Sequence, residues 1–185
     1  MRELILGGAR SGKSRLAESR AAAYEAKGMS VVYIATAEAW DAEMADRLAQ
    51  HRAGRPAHWV TVEEPLKLAE TLTLHAAADR CLLVDCITLW LSALVFKGQA
   101  AAQIDAGEPI SCNLFARERQ ALLNVLPALP GEIILVSNEI GSGVVPENRL
   151  SRRFADEQGR LNQEIAARCE RVTLSVAGIA LPLRD

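Results

Sequence analysis

The stretch GGARSGKS, residues 7–14, constrains this chain more than any other part of its sequence. It follows the short apolar run LIL and precedes a segment of helical period, so it connects a predicted strand to a predicted helix. The stretch fits the pattern G-x-x-x-x-G-K-[ST] through Gly7, Gly12, Lys13 and Ser14. Such a loop turns its backbone N–H groups inward around phosphates, so it predicts a nucleoside triphosphate site.

Each part of this phosphate loop has an expected task. Lys13 is expected to reach the β- and γ-phosphates, and Ser14 to ligate Mg²⁺. Short glycine patterns also occur by chance, but the flanking strand and helix favour genuine triphosphate binding. The nucleotide contacts are expected from the whole loop: Gly7, Gly8, Ala9, Arg10, Ser11, Gly12, Lys13 and Ser14.

A phosphate loop also requires a carboxylate at the end of a neighbouring buried strand, and the run CLLVD supplies Asp85. The alternative is an acid in a surface turn. An unpaired carboxylate inside the apolar run CLLVDCITLWL would cost several kcal/mol, which disfavours that alternative. The sequence therefore predicts that Asp85 holds Mg²⁺, directly or through water.

Short apolar runs alternate with helical segments along the chain, which predicts a single α/β domain over residues 1–185. We expect a three-layer, RecA-like P-loop NTPase fold with a mostly parallel central sheet, helices on both faces and a C-terminal hairpin. The predicted strands are 4–6, 31–35, 59–62, 81–85, 133–136, 172–176 and 179–183. The predicted helices are 14–27, 38–52, 65–77, 87–96, 114–126 and 148–169, with 97–111 as a loop.

Composition excludes several classes of protein. The formal charge of -2 gives no bulk preference for nucleic acid. The four cysteines form no CxxC pair and are expected to be buried free thiols. The longest apolar run, 87–96, is too short to span a membrane, and the short run before residue 7 leaves no room for a signal peptide. We therefore expect a cytoplasmic protein.

The stretch QHRAGRPAHW contains a histidine with two possible interpretations. His51 shares a predicted helix face with Trp40 and Met44, which favours a buried structural histidine. Against this, three arginines lie within five positions of it, and such a cluster suits an anionic ligand: Arg47, Arg52 and Arg55. A neutral imidazole in that setting is a potential nucleophile.

Five stretches in order along the chain resemble one known family: GGARSGKSRLAE, YIATAE, DAEMADRLAQHRAGRPAHW, LLVDCITLWL and VSNEIGSGVVPENRLSRRFADEQGRLNQ. It is the bifunctional adenosylcobinamide kinase and adenosylcobinamide-phosphate guanylyltransferase family of cobalamin biosynthesis. The resemblance implies that the γ-phosphate of ATP or GTP passes to the aminopropanol hydroxyl of adenosylcobinamide. A histidine then attacks the α-phosphorus of GTP, pyrophosphate leaves, and GMP passes to the phosphorylated cobinamide, giving adenosylcobinamide-GDP.

The resemblance also implies roles for particular residues. His51, which precedes RAGRP, becomes the catalytic nucleophile. Further nucleotide contacts fall on Ala35, Thr36, Ala37, Arg52, Ala53, Gly54, Arg55, Glu63 and Asp85. Which of Glu63 and Asp85 contacts guanine and which attends Mg²⁺ stays open, although a carboxylate suits guanine because it accepts from both N1–H and the amino group.

The stretch NEIGSGVVPENRLSRRF follows a predicted buried strand, and we regard its Asn138 and Glu139 as better site candidates than its arginines. The family resemblance also suggests a homotrimer whose substrates are adenosylcobinamide and its phosphate. The principal alternative is a single-function small-molecule kinase. A DNA-handling P-loop protein is disfavoured because the chain has only eight Phe, Trp and Tyr residues and no basic excess.

Overall fold

The structure, a computed structural model, describes residues 1–38, 42, 46, 54–97, 100–108 and 113–185. Within these residues, seven strands form one sheet in the order β3-β2-β4-β5-β1-β6-β7. Their bounds are β1 Arg2–Gly7, β2 Ser30–Ala35, β3 Val60–Glu63, β4 Arg80–Asp85, β5 Glu132–Asn138, β6 Arg171–Val176 and β7 Ile179–Arg184. Every neighbouring pair is parallel except β6 and β7, which form the predicted antiparallel hairpin.

The described helices are α1 Lys13–Glu25, α2 Leu68–His75, α3 Ile87–Lys97, α4 Ala100–Ala106, α5 Asn113–Val125 and α6 Arg149–Ala166, with a 3-10 turn at Leu126–Ala128. The prediction of a loop over 97–111 is wrong, because it contains α4. Ala100 and Ile104, four positions apart, are buried in the core, so this short helix is stabilised by packing more than by its own sequence. The predicted helix over 38–52 lies largely outside the described residues.

The sheet separates two hydrophobic clusters, as the alternation of side chains along each strand requires. On one face, Ala17 and Ala21 of α1 are fully buried, and these small side chains let the helix approach Ile5 and Leu83 closely. On the other face, the cluster contains more of the described residues and is covered by α2 to α6, and Trp90 is its largest fully buried side chain. The fold therefore has three layers, and the prediction of a P-loop NTPase-type α/β fold is confirmed.

Since β1 to β5 are parallel, their carboxyl ends lie along one edge of the sheet. The phosphate loop follows β1 at this edge, and Glu63, Asp85 and Asn138 end three of the other strands. Ligands bind at this edge in open α/β sheets. No helix in the described part of the chain combines the length and apolar character needed to cross a membrane.

Candidate nucleotide site

The phosphate loop connects Gly7, the last residue of β1, to Lys13, the first residue of α1. Gly12 is the N-cap with φ 91°, a left-handed conformation that favours glycine. The backbone of the exposed Gly8 faces open space, because a Cβ built there would meet nothing within 4 Å. The Nζ of Lys13 donates to the carbonyl oxygen of Gly8 at 3.1 Å, so the lysine folds back onto the loop beside this open space.

The C-terminal hairpin supports the loop from its other side. The Ser175 hydroxyl and the Gly178 amide both donate to the carbonyl oxygen of Ser11, at 2.9 Å and 2.8 Å. A Cβ at Gly7 would lie 2.6 Å from the Ser175 carbonyl oxygen, so only glycine permits β1 and β6 to approach this closely. The sequence predicted the hairpin but not its contact with the phosphate loop. Gly178, in the turn of the hairpin, was the only part of the pattern that pointed to this contact.

Ala35, at the end of β2, lies between the two candidate carboxylates. It pairs with Glu63 of β3 on one side and with Asp85 of β4 on the other. Two backbone hydrogen bonds continue the alignment beyond the strands, from the Glu64 amide to the Ala35 carbonyl oxygen and from the Thr36 amide to the Asp85 carbonyl oxygen. Aligned neighbours in a sheet point to the same face, so the two acids face one side of the sheet, about 10 Å apart at the backbone.

Thr36 holds the ends of β2 and β4 together. Its hydroxyl donates to the Cys86 carbonyl oxygen at 2.6 Å and accepts from the Cys86 amide at 2.9 Å. The Thr36 side chain is 1% exposed and is therefore directed into the protein. Burial, with a smaller effect of the Asp85 charge, raises the pKa of the Cys86 thiol to about 12, so this thiol stays neutral.

Tyr33, in the middle of β2, contacts charged groups at two positions. Its hydroxyl donates to Oδ2 of Asp85 at 2.9 Å, and the Arg55 guanidinium lies 3.5 Å from the centre of its ring. Burial raises the pKa of Tyr33, and the Asp85 charge raises it further, so the hydroxyl remains a donor. Sequence reasoning missed Tyr33, which is typical of a buried strand residue and carries no motif.

Beyond Arg55, an open cleft of about 330 Å³ extends to Glu63 and is lined by Arg55, Pro56, Ala57, Trp59, Thr61 and Glu63. The Trp59 indole N–H donates to Oε1 of Glu25 at 3.0 Å, and the same oxygen lies 2.7 Å from Nε2 of His58. These bonds, with that of Trp59 the larger contributor, lower the pKa of Glu25. His58 is exposed and contacts Glu25 of α1.

At the end of β5, backbone amides bond to the phosphate loop and to α3. The Glu139 amide donates to the Gly7 carbonyl oxygen at 3.1 Å, and the Asn138 amide donates to the Thr88 hydroxyl at 2.8 Å. The side-chain oxygen of Asn138 is buried without a hydrogen-bond partner among the described residues. Arg152 is instead bonded to the Pro146 and Glu147 carbonyl oxygens. Asn138 therefore stays a better candidate than Arg152.

The sheet edge brings together most of the expected contacts, namely the phosphate loop, 35–37, Glu63 and Asp85. Gly54 is exposed in the turn before Arg55. The expected nucleophile His51 and its neighbours Arg52 and Ala53 lie outside the described residues, so their roles stay predictions. No group of three or more His, Cys, Asp or Glu side chains placed to hold a metal occurs in the ranges that the structure describes.

The loop, its flanking strand and helix and the parallel sheet define a P-loop nucleotide-binding protein. The type III secretion ATPase EscN of enteropathogenic E. coli shares this fold, with a TM-score of 0.56 and 17% identity over 95% of this chain and 43% of that one. A prototypical type III secretion ATPase of pathogenic bacteria has a TM-score of 0.54 and 16% identity, covering 98% of this chain and 56% of that one. The chain spans about half the length of these solved structures, and the likeness concerns the fold alone.

The family is shown by sequence. The family model described as cobinamide kinase / cobinamide phosphate guanyltransferase matches residues 3–183, and the chain belongs to this family. It is 58% identical over 184 residues to the bifunctional adenosylcobalamin biosynthesis protein CobP of Pseudomonas aeruginosa, covering 100% of this chain and 98% of that protein. It is 41% identical to the corresponding CobU of Salmonella typhimurium, with 98% of both chains covered. The prediction of a bifunctional kinase and guanylyltransferase is confirmed at this level.

Proposed function

We propose that one nucleotide site on this chain carries out both reactions, phosphorylation of adenosylcobinamide and guanylyl transfer to its phosphate through His51. The observation that carries the proposal is the alignment of Glu63 and Asp85 on either side of Ala35, at the sheet edge that also holds the phosphate loop. The two carboxylates lie at different distances from the phosphate loop. One site can therefore hold a triphosphate while the γ-phosphorus reacts in one step and the α-phosphorus in the other.

In the kinase step, the aminopropanol hydroxyl attacks the γ-phosphorus of ATP or GTP. A bond forms between that oxygen and phosphorus, the bond to the bridging oxygen breaks, and the nucleoside diphosphate leaves as the hydroxyl loses its proton. Lys13 and the loop amides stabilise the charge on the phosphates. This step requires no imidazole nucleophile.

In the guanylyl step, an imidazole nitrogen of His51 attacks the α-phosphorus of GTP and pyrophosphate leaves. A phosphate oxygen of adenosylcobinamide phosphate then attacks the same phosphorus and breaks its bond to nitrogen. The products are adenosylcobinamide-GDP and free histidine. Dividing a difficult displacement into two easier ones is the benefit of covalent catalysis.

The strand order supports different roles for the two acids. Asp85 ends β4, two strands from β1, and Glu63 ends β3, four strands from β1. Neighbouring strands are about 4.8 Å apart. The separation of Asp85 from β1 and its phosphate loop therefore suits contact with the phosphates, and the larger separation of Glu63 suits contact with the base. We therefore assign Asp85, with Ser14, to Mg²⁺, and Glu63 to N1–H and the amino group of guanine.

The donor set fits Mg²⁺, which proteins bind through one or two carboxylates together with substrate phosphates. The open space at Gly8 leaves room for those phosphates. When bound, the ion neutralises charge that develops on the transferred group. The contribution of Ser14 and Asp85 is to orient the triphosphate.

The surface of β7 supports self-association, and the family resemblance suggests a homotrimer. Ile179, Leu181 and Leu183 are 70%, 52% and 56% exposed on this edge strand. Exposed apolar edge strands favour pairing with another chain. Light scattering on the purified protein measures the subunit number, and a monomer would contradict the proposal.

Cytoplasmic localisation is supported by the free buried thiols of Cys81, Cys86 and Cys169, which suit a reducing compartment.

The intact mass after incubation with GTP and Mg²⁺ tests the covalent route. We expect a GMP adduct that maps to His51, is absent in His51→Ala and Lys13→Ala, and persists in the control His75→Gln. His51→Ala should retain kinase activity, and Lys13→Ala should lose both activities. An unmodified wild-type protein that still makes adenosylcobinamide-GDP would exclude the histidine intermediate. A protein that only phosphorylates would establish the single-function kinase instead.

A further inference from the structure

Tyr33, a buried residue of β2, contacts two charged side chains. The side chain is 1% exposed, its hydroxyl donates to Asp85 at 2.9 Å, and the Arg55 guanidinium covers its ring at 3.5 Å. One side chain therefore contacts both the carboxylate assigned to Mg²⁺ and a guanidinium that lines the cleft with Glu63.

The guanidinium of Arg55 has donors that a ligand could satisfy. Its Nε and one terminal nitrogen are buried and have no hydrogen-bond partner in the part of the chain that the structure describes. Buried unpaired donors are destabilising, and an anion or a carbonyl oxygen would satisfy them. The aromatic face retains the cation in this position but supplies no acceptor.

The hydroxyl of Tyr33 serves a separate purpose from its ring. A phenylalanine would fill the core and stack under Arg55 equally well, and a buried hydroxyl requires a partner to offset its desolvation. That partner is one oxygen of Asp85, whose position the bond fixes. Bonds of this kind to a ligating carboxylate orient it and influence metal affinity.

Resting on the proposed function, we infer that Tyr33 is a positioning residue for GTP. The Tyr33 hydroxyl orients the Asp85 carboxylate and so contributes to the part of GTP binding that depends on Mg²⁺. The Tyr33 ring holds Arg55 in place and so contributes to the part of GTP binding that does not depend on Mg²⁺.

Calorimetric titration of GTP, with Mg²⁺ and separately with EDTA, tests the two halves independently of activity. Tyr33→Phe keeps the ring and removes the hydroxyl. We expect it to reduce the gain in affinity that Mg²⁺ provides by about tenfold, with binding in EDTA unchanged. Arg55→Lys keeps the charge and the core but loses the planar contact. It should weaken GTP binding in EDTA by about tenfold and leave the gain from Mg²⁺ unchanged.

Tyr24→Phe is the matched control, because Tyr24 is the other of the two tyrosines in the chain. It lies beside Lys27, at the end of α1 away from the phosphate loop. It should match the wild type in both titrations. An unchanged Mg²⁺ gain in Tyr33→Phe, or unchanged EDTA binding in Arg55→Lys, would overturn the inference. If both shifts occur but the wild type forms no GMP adduct, the guanylyl mechanism fails while the role of Tyr33 stands.

Discussion

The backbone amide of Gly178 donates a hydrogen bond to the carbonyl oxygen of Ser11 at 2.8 Å, so the turn of the C-terminal hairpin lies directly against the phosphate loop. A Cβ at Gly12 would approach the Cα of Gly178 to 3.1 Å. The shape of the loop therefore depends on the hairpin as well as on the loop's own glycines.

Gly12→Ala should weaken GTP and ATP binding at least tenfold and reduce both activities. The left-handed φ of 91° disfavours alanine by about 1–2 kcal/mol, and the new methyl group presses on Gly178. Calorimetry measures the binding. Gly28→Ala is the matched control, because φ is 92° there and a Cβ meets nothing within 4 Å. The control should lose stability but bind nucleotide normally, and an equal binding loss in both variants would refute this explanation.

Asn162→Leu should lower the free energy of unfolding by about 2–4 kcal/mol. The Asn162 side-chain oxygen accepts from the buried Ser137 hydroxyl and the buried Gln158 amide, at 2.7 Å and 2.9 Å. Leucine would leave both donors without this acceptor. Urea denaturation measures the loss. Asn124→Leu changes an exposed residue that accepts from Gln120, so it should cost less than about 0.5 kcal/mol. Similar losses in both variants would contradict the assigned cause.

Gly159→Ala should raise the free energy of unfolding by about 0.5–1 kcal/mol, because glycine inside a helix is less favourable than alanine. Gly159 lies within α6, and a Cβ there meets nothing within 4 Å. The same denaturation experiment measures the gain. A destabilised variant would show that α6 is less regular around residue 159 than the structure indicates.

Stability should fall as the pH rises above about 9. Burial raises the pKa of the Cys81 and Cys169 thiols from 9.0 to about 12. The unfolded chain therefore loses these protons first, so their contribution is complete below pH 9 and is lost between pH 9 and about 12. Each thiol contributes a slope of up to about 1.4 kcal/mol per pH unit. Urea denaturation from pH 8 to 10.5 measures the slope, which Cys169→Ala should reduce. A slope unaffected by that change would show that this thiol is not a cause.

The sequence predicted the parallel sheet and the hairpin because short apolar runs and glycine turns are local signals. It did not predict α4, because AAAQIDA presents only a weak apolar pattern and is helical through the burial of Ala100 and Ile104. The predicted strand 59–62 lies at Val60–Glu63, a shift that places Glu63 in register with Ala35.

Site geometry was less accessible to sequence reasoning than the fold. The sequence identified Asp85 and Glu63 as acids of interest, but their separate positions depend on the strand order, which no local pattern encodes. The contacts of Tyr33 with Asp85 and Arg55 depend on the register of β2 against β4 and on the path of the chain after residue 53.

The hydrogen bond between Ser175 and Ser11 joins residues 164 positions apart in the chain. During translation, the loop therefore leaves the ribosome long before its supporting strand exists. Until β6 and the following turn emerge, β1 lacks one of its two neighbouring strands, and the triphosphate site is incomplete. Nascent and prematurely terminated chains should consequently bind GTP poorly.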